Sequence, residues 1–319
     1  MKVTFWGTRG SLPRATDNSE IKSLLLETIE QLPERNFSKA DLVQLIEGDK
    51  HILSYGGNSS SLEINCDDKP FFVDCGSGFR EAGTAWVGKK SEFNIFLTHM
   101  HWDHLIGLPF FLPLHQKDTV INIYHVHKNA PEYVKIKFNG INFPLTWDQL
   151  PSKIVFHPLK LHEPKIFGAV TVSPFALDHP GGCFGYRFDH GGKSVAIGVD
   201  GEFKRSTRLE LGKDLKFYQN LDMLIFDAQY EPQELVNRFD WGHSSSHIGV
   251  ELAQREDIKT LVLTHHDPWA NRHKLKNMHG EALEFQKKLV AQQNSSNRAN
   301  ILMAYDGLIY DIGAKEKGN

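Results

Sequence analysis

The sequence predicts an α/β fold in which two β-sheets pack face to face with helices on the outside, and three observations carry the prediction. Short apolar segments with strand grammar alternate with helical stretches along the 319 residues. The two halves echo each other: IFLTHMHWDH in the first and LVLTHHDP in the second each present an apolar strand ending in Leu-Thr-His. Apolar runs also lead into a His or an Asp at ALDHPGG and AIGVDGE, the strand-end position where layered α/β folds gather ligands.

In chain order, KVTFWG is a first strand, ended by the Gly/Pro turn GTRGSLPRA. From about residue 18 to 49, Ile, Leu and Val recur at helical spacing, NFSKAD supplies a helix start and no strand pattern intervenes. This stretch reads as a helical insertion within one domain spanning residues 1–319. Strands resume at SSSLEINC, PFFVDCG and NIFLTHMHWDH, and a helix is expected over Ile106–Leu112. Further strands are expected at VINIYHV, KIVFHPL, VTVSPFAL, GYRFDH, SVAIGVD, LDMLIFDAQ, TLVLTHH and NILMAYDGLIYDI, with helices over Ser246–Arg255 and Met278–Gln293.

Composition narrows the function classes. A net charge of −3 and a pI near 6.6 disfavour a protein that coats nucleic acid, because phosphate backbones are gripped by clustered Lys and Arg. Stable nucleic-acid binding is therefore not expected, while a small anionic substrate fits. Cys66, Cys75 and Cys183 form no CxxC pair, which suggests neither a disulfide framework nor a thiolate zinc site and suits a reducing cytoplasm. No charged n-region with an apolar h-region opens the chain and no apolar run nears 18 residues, so a soluble protein without a membrane span is expected.

The strongest chemical signal is HMHWDH, residues 99–104, which packs three imidazoles and a carboxylate into the end of a strand. In an extended turn His99 and His101 point to one side and can share a cation, while Asp103 and His104 turn toward a neighbour. Mixed nitrogen and oxygen donors suit zinc, with manganese and iron also accommodated. His179, Asp200 and His265 follow apolar runs at equivalent strand ends. Each alone is ordinary turn chemistry; together with the first motif they form a candidate ligand set.

The order HxHxDH, lone His, lone Asp, lone His resembles the metallo-β-lactamase superfamily. The resemblance implies an αββα sandwich with His99, His101 and His179 on one metal, Asp103, His104 and His265 on a second, and Asp200 between them. FWGTRGSLP, YGGNSSSLEI, DHPGGCFGYR, DAQY, WGHSS and LTHHDP resemble its phosphodiesterase-like branch, which contains cyclic-nucleotide phosphodiesterases and tRNA 3′-processing endonucleases. The basic Gly-rich arm of the tRNA enzymes is not recognisable, so a cyclic nucleotide or similar small phosphodiester is the expected substrate. Homodimerisation is implied by the resemblance alone.

A pair of divalent ions would lower the pKa of a bridging water toward about 7, with Asp103 and Asp200 orienting the resulting hydroxide. His243 is the candidate general acid, because WGHSSSHIGVELAQ places it just before a helix start, and Asp227 is the candidate partner. The alternative is that Ser244–Ser246 merely cap a helix. Asn58 and the following serines face the metals by resemblance, Asp267 is a candidate acceptor for a ligand imidazole, and Arg9 and Arg187 are possible phosphate partners. Phe138–Trp147 could be a lid or buried packing. An RNA 3′-processing nuclease, a lactonase or β-lactamase-like acyl hydrolase and a non-catalytic nucleotide-binding module are the competing functions.

Overall fold

Neighbouring side chains of a strand enter different layers, as the pleat requires. The computed structural model describes residues 1–30, 32, 38–47, 54–205, 207–293 and 298–313. In it Phe71 and Val73 pack between two sheets, while Phe72 packs outward against Phe79 and Phe111.

The described strands are β1 (Lys2–Gly7), β2 (Ser61–Cys66), β3 (Lys69–Val73), β4 (Glu92–Leu97), β5 (Val120–His125), β6 (Lys153–Pro158) and β7 (Lys165–Phe167). They continue as β8 (Val170–Leu177), β9 (Cys183–His190), β10 (Lys193–Gly198), β11 (Met223–Asp227), β12 (Thr260–Thr264), β13 (Asn300–Met303) and β14 (Ile309–Asp311). The helices are α1 (Asn18–Glu30), α2 (Lys39–Glu47), α3 (Phe79–Trp86), α4 (Ala130–Lys135), α5 (Arg208–Leu211), α6 (Ser246–Arg255) and α7 (Arg272–Gln293).

One sheet has the order β14-β1-β2-β3-β4-β5-β6 and the other β13-β12-β11-β10-β9-β8-β7. In the first, β14 to β3 pair antiparallel and β3 to β6 parallel. In the second, β10 to β13 pair parallel and β7 to β10 antiparallel. Each sheet thus joins an antiparallel meander to a parallel half, which is the structural form of the echo between the two sequence halves. Apolar side chains from both sheets fill the space between them, α3 covers one outer face, and α6 and α7 cover the other. This is the αββα sandwich.

Three elements differ from expectation. Ile106–Leu112 is not an α-helix but lies among short 3₁₀ turns, including Leu108–Phe110 and Leu112–His115. Pro109 and Pro113 lack the N–H that a continuous i→i−4 ladder needs. NILMAYDGLIYDI is two strands in different sheets, β13 beside β12 and β14 beside β1, with Gly307 at φ +89 in the crossing. The last helix begins at Arg272, before Met278. The insertion is helical at α1 and α2, and its residues 31, 33–37 and 48–49 lie outside the described residues.

Candidate metal centre

Strand ends deliver the predicted ligands to one edge of the sandwich. His99 follows β4, His179 follows β8, Asp200 follows β10 and His265 follows β12. Asp200 and His265 adopt left-handed backbone, with φ +60 and +62, a conformation found in Asp, Asn and His more often than in other non-glycine residues. Asp103 and His104 sit in a 3₁₀ turn, Trp102–His104, directly after His101.

Among the described residues, four overlapping groups bring candidate donor atoms together; beside the two expected sets, Asp200 joins His99 and His104, and also Asp227, His243 and His265. Of the expected groups, His99, His101 and His179 form one, and Asp103, His104 and His265 form the other; within each, one donor atom per residue lies within 4.8 Å of the others. His179 Nε2 stands 3.1 Å from His101 Nδ1. His104 Nε2 stands 3.3 Å from His265 Nε2 and 3.1 Å from Asp103 Oδ2. Asp200 lies between the groups, with Oδ2 2.9 Å from His104 Nε2 and 3.2 Å from His265 Nε2, and Oδ1 3.8 Å from His179 Nε2.

In His104, His179 and His99 the remaining nitrogen fixes how the ring faces. His104 Nδ1 donates to Asp74 Oδ2 at 2.7 Å, His179 Nδ1 donates to the Gly242 carbonyl at 2.9 Å, and His99 Nδ1 meets Thr98 Oγ1 at 3.0 Å. Thr98 in turn donates its hydroxyl to Asp74 Oδ2 and its N–H to Asp74 Oδ1. Asp103 is steadied by the backbone N–H of Ser11 at 2.9 Å. Sequence reasoning missed Asp74; the signal was an Asp closing the apolar strand PFFVDCG.

Asp74→Asn places an amide N–H₂ against at least one of these donors, so His104 loses its fixed orientation. A metal affinity about 10- to 100-fold weaker is expected from such a change, read by competition titration against a chromophoric chelator.

The donor set fits divalent cations on electrostatic grounds. Burial pushes the His99, His101 and His179 imidazoles down, keeping them neutral as ligands must be. Burial would also lower His265, yet Asp200, Asp103 and Asp227 outweigh it and raise its pKa to about 10. His104 is driven up in the same way by Asp103, Asp200 and Asp74 against its burial. The second group therefore demands positive charge, as protons or as a metal. His99 Nε2 is buried and has no hydrogen-bond partner among the described residues, as expected of an atom aimed at a cation.

His243 and Asp227 adjoin this centre. His243 Nδ1 donates to Asp227 Oδ2 at 2.9 Å and lies 3.6 Å from Asp200 Oδ1. Asp227, fully buried, also accepts the backbone N–H groups of Asp200, Gln229 and Ser244. Burial alone would raise its carboxyl, but His243 and His265 hold its pKa at about 2. Ser245 occupies the N-cap of α6 without a side-chain cap bond.

Two glycines make room for the ligands. A Cβ on Gly10 would lie 2.5 Å from His265 Nδ1, and one on Gly242, at φ +84, would lie 2.0 Å from His179 Nδ1. Other expected roles are corrected. Among the described residues Asp267 bonds no ligand imidazole; Arg238 and the N–H of Trp269 occupy its oxygens. Arg9 is buried on the carbonyls of Gly56, Asp267 and Ala270, and Arg187 is held by Asp189 and two carbonyls. Neither guanidinium is free for phosphate. Ser59 donates to the Asp103 carbonyl and Asn58 accepts from Ser77, so this turn braces the ligand loop from behind. Phe138 is buried and stacks edge-on with Phe143 and Trp147, as packing.

Comparison with known proteins follows the same lines. Residues 71–266 match the family model described as the beta-lactamase superfamily domain. Ribonuclease BN of Cronobacter sakazakii is 31% identical over 246 residues, 61% of this chain and 78% of that protein. Ribonuclease Z of Listeria welshimeri is 24% identical over 313 residues, 82% of this chain and 95% of that one. The crystal structure of the short form of human tRNase Z superposes with a TM-score of 0.60 at 18% identity, covering 98% of this chain and 99% of that one. No described helix is long and apolar enough to cross a membrane. The family match spans more than half of the chain, which therefore belongs to the metallo-β-lactamase superfamily as a metal-dependent hydrolase.

Proposed function

We propose that this hydrolase cleaves phosphodiesters, with His99, His101, His179, Asp103, His104 and His265 holding two divalent cations and Asp200 shared between them. The observation that carries the reading is the His243–Asp227 pair set against both ligand groups, since a proton donor beside the metals is what an alkoxide leaving group requires. Two bound cations, zinc being the default, supply Lewis acidity toward phosphoryl oxygens and lower the pKa of water toward about 7. Asp103, fixed by Ser11, orients the attacking water. His243, held at Nδ1 by Asp227, keeps Nε2 to deliver a proton to the departing oxygen, and Asp227 supplies the counter-charge.

The substrate we favour is a cyclic nucleotide or comparable small phosphodiester. His99, His101 and Asp103 line a cavity of about 790 Å³, within the usual range of small-molecule sites, and the net charge of −3 suits a compact anion better than a long polyanion. RNA 3′-processing is the second reading; the ribonuclease Z and BN relatives favour it and weigh against the expectation that stable nucleic-acid binding is absent.

The test is turnover by protein of measured metal content on 3′,5′- and 2′,3′-cyclic nucleotides, bis-p-nitrophenyl phosphate, a tRNA precursor and nitrocefin. Phosphodiester turnover is expected to disappear on chelation and return with zinc or manganese. Trimming of the precursor with inert cyclic nucleotides would select the RNA reading. Turnover of nitrocefin alone would overturn both.

A further inference from the structure

The metal centre accounts for His99, His101, Asp103 and His104 but not for the residue between His101 and Asp103. Trp102 leaves 74% of its surface exposed. Its flanking residues belong to the two ligand groups, so the turn that aims them also holds the indole in the open, while the other spacer, Met100, packs inward. A single exposed aromatic is ordinary; what surrounds this one is not.

Trp102 lines the same cavity as the metal ligands, together with Tyr133, Ile136, Lys128 and Lys137. Tyr133, Ile136 and Lys137 are spaced i, i+3, i+4 from α4 into the turn after it, and so present one face. Tyr133 is 51% exposed and Ile136 60%. Lys137 Nζ sits 5.5 Å from the centroid of the Trp102 ring. Lys128 and Lys137 have no carboxylate partner among the described residues. The wall thus offers aromatic faces for stacking and two uncompensated cations beside a centre suited to one phosphate. Across the gap, the His127 imidazole bonds the Gly182 carbonyl at 2.7 Å, tying the loop before α4 to the loop between β8 and β9. The wall is braced in place.

We infer that Trp102, Tyr133, Lys128 and Lys137 form a nucleotide subsite adjoining the metal centre, so that the preferred substrate is a phosphodiester bearing a nucleobase and a second phosphate. Base stacking on the aromatic faces and a second phosphate on the ammonium groups share the recognition. This rests on the phosphodiesterase reading and refines its substrate: a 3′,5′-cyclic mononucleotide carries no second phosphate for the ammonium groups. A short dinucleotide and the 3′ end of an RNA carry the same chemistry.

The test compares kcat/KM of the metal-loaded chain for bis-p-nitrophenyl phosphate, the dinucleotide ApA, its 5′-phosphorylated form pApA, and an RNA with a 3′ trailer. In the wild type, pApA is expected to exceed ApA by about fivefold at low salt and to lose that advantage as ionic strength rises. Trp102→Ala is expected to lower the ratio of dinucleotide to aryl-ester kcat/KM by roughly tenfold or more, chiefly through KM, with Trp102→Phe restoring most of it. Lys128→Ala with Lys137→Ala is expected to erase the preference for pApA. If the trailer RNA alone responds to Trp102→Ala, the subsite stands and its natural occupant is RNA. Equal losses on aryl ester and dinucleotide would mean that Trp102 only shapes the ligand turn, and an equal preference for ApA and pApA would remove the second phosphate; either overturns the inference. Should the metal-loaded chain cleave none of these, the phosphodiesterase reading fails, and calorimetric binding of pApA judges the subsite by itself: weaker binding to Trp102→Ala supports it, equal binding overturns it.

Discussion

Asp200→Asn is expected to lower kcat by roughly a thousandfold or more while leaving the chain folded. Asp200 lies within 4 Å of imidazoles from both ligand groups, through His179 on one side and His104 and His265 on the other. Asparagine keeps its left-handed backbone at φ +60 and can keep the N–H donated to Asp227. What it removes is the negative charge between two cation sites. Metal stabilisation of a phosphoryl transition state amounts to several kcal/mol, and about 4 kcal/mol corresponds to a rate factor near 10³. The measurements are kcat on bis-p-nitrophenyl phosphate, metal content per chain, and thermal unfolding to establish that the fold persists. A variant that keeps two metals and turns over within about tenfold of wild type would remove Asp200 from its shared position.

The candidate ligand set was legible because its chemistry restricts residue type. Imidazole and carboxylate at strand ends cannot be exchanged for other side chains without losing donors, so His99, His101, Asp103, His104, His179, Asp200 and His265 stand out in the sequence and the structure gathers them. The layers were legible too, since Phe71 and Phe72 need only the period of two to be assigned to opposite faces. The groups that aim the ligands were harder to see. His179 is oriented by the Gly242 carbonyl and Asp103 by the Ser11 N–H, and a backbone atom leaves no mark of its own in a sequence. Asp74 reads as a turn residue until β3 and β4 are paired in parallel and His104 folds back onto it. Asp267 failed for the converse reason: a carboxylate beside a ligand histidine fits a supporting role, but Arg238, far away in sequence, reaches it first.

His243→Ala should separate substrates by their leaving groups. With Nδ1 committed to Asp227, Nε2 is the nitrogen left to give a proton, and a ribose oxygen departing as an alkoxide needs one. General acid catalysis of this kind contributes about 10² to 10⁴ in rate, so kcat on a nucleotide phosphodiester is expected to fall within that span. A nitrophenolate departs without a proton, so bis-p-nitrophenyl phosphate is expected to lose less than about tenfold. Asp227→Asn is expected to follow the same ordering, because it removes the counter-charge and sets an amide N–H₂ against donors that the carboxylate now accepts. His243 faces His265 at a ring distance of 5.0 Å, and an alanine there could also loosen the second ligand group. That outcome has its own signature, a uniform loss on both substrates together with a lower metal content. A graded loss with metal retained assigns the proton to His243; a uniform loss with metal retained would assign it to solvent.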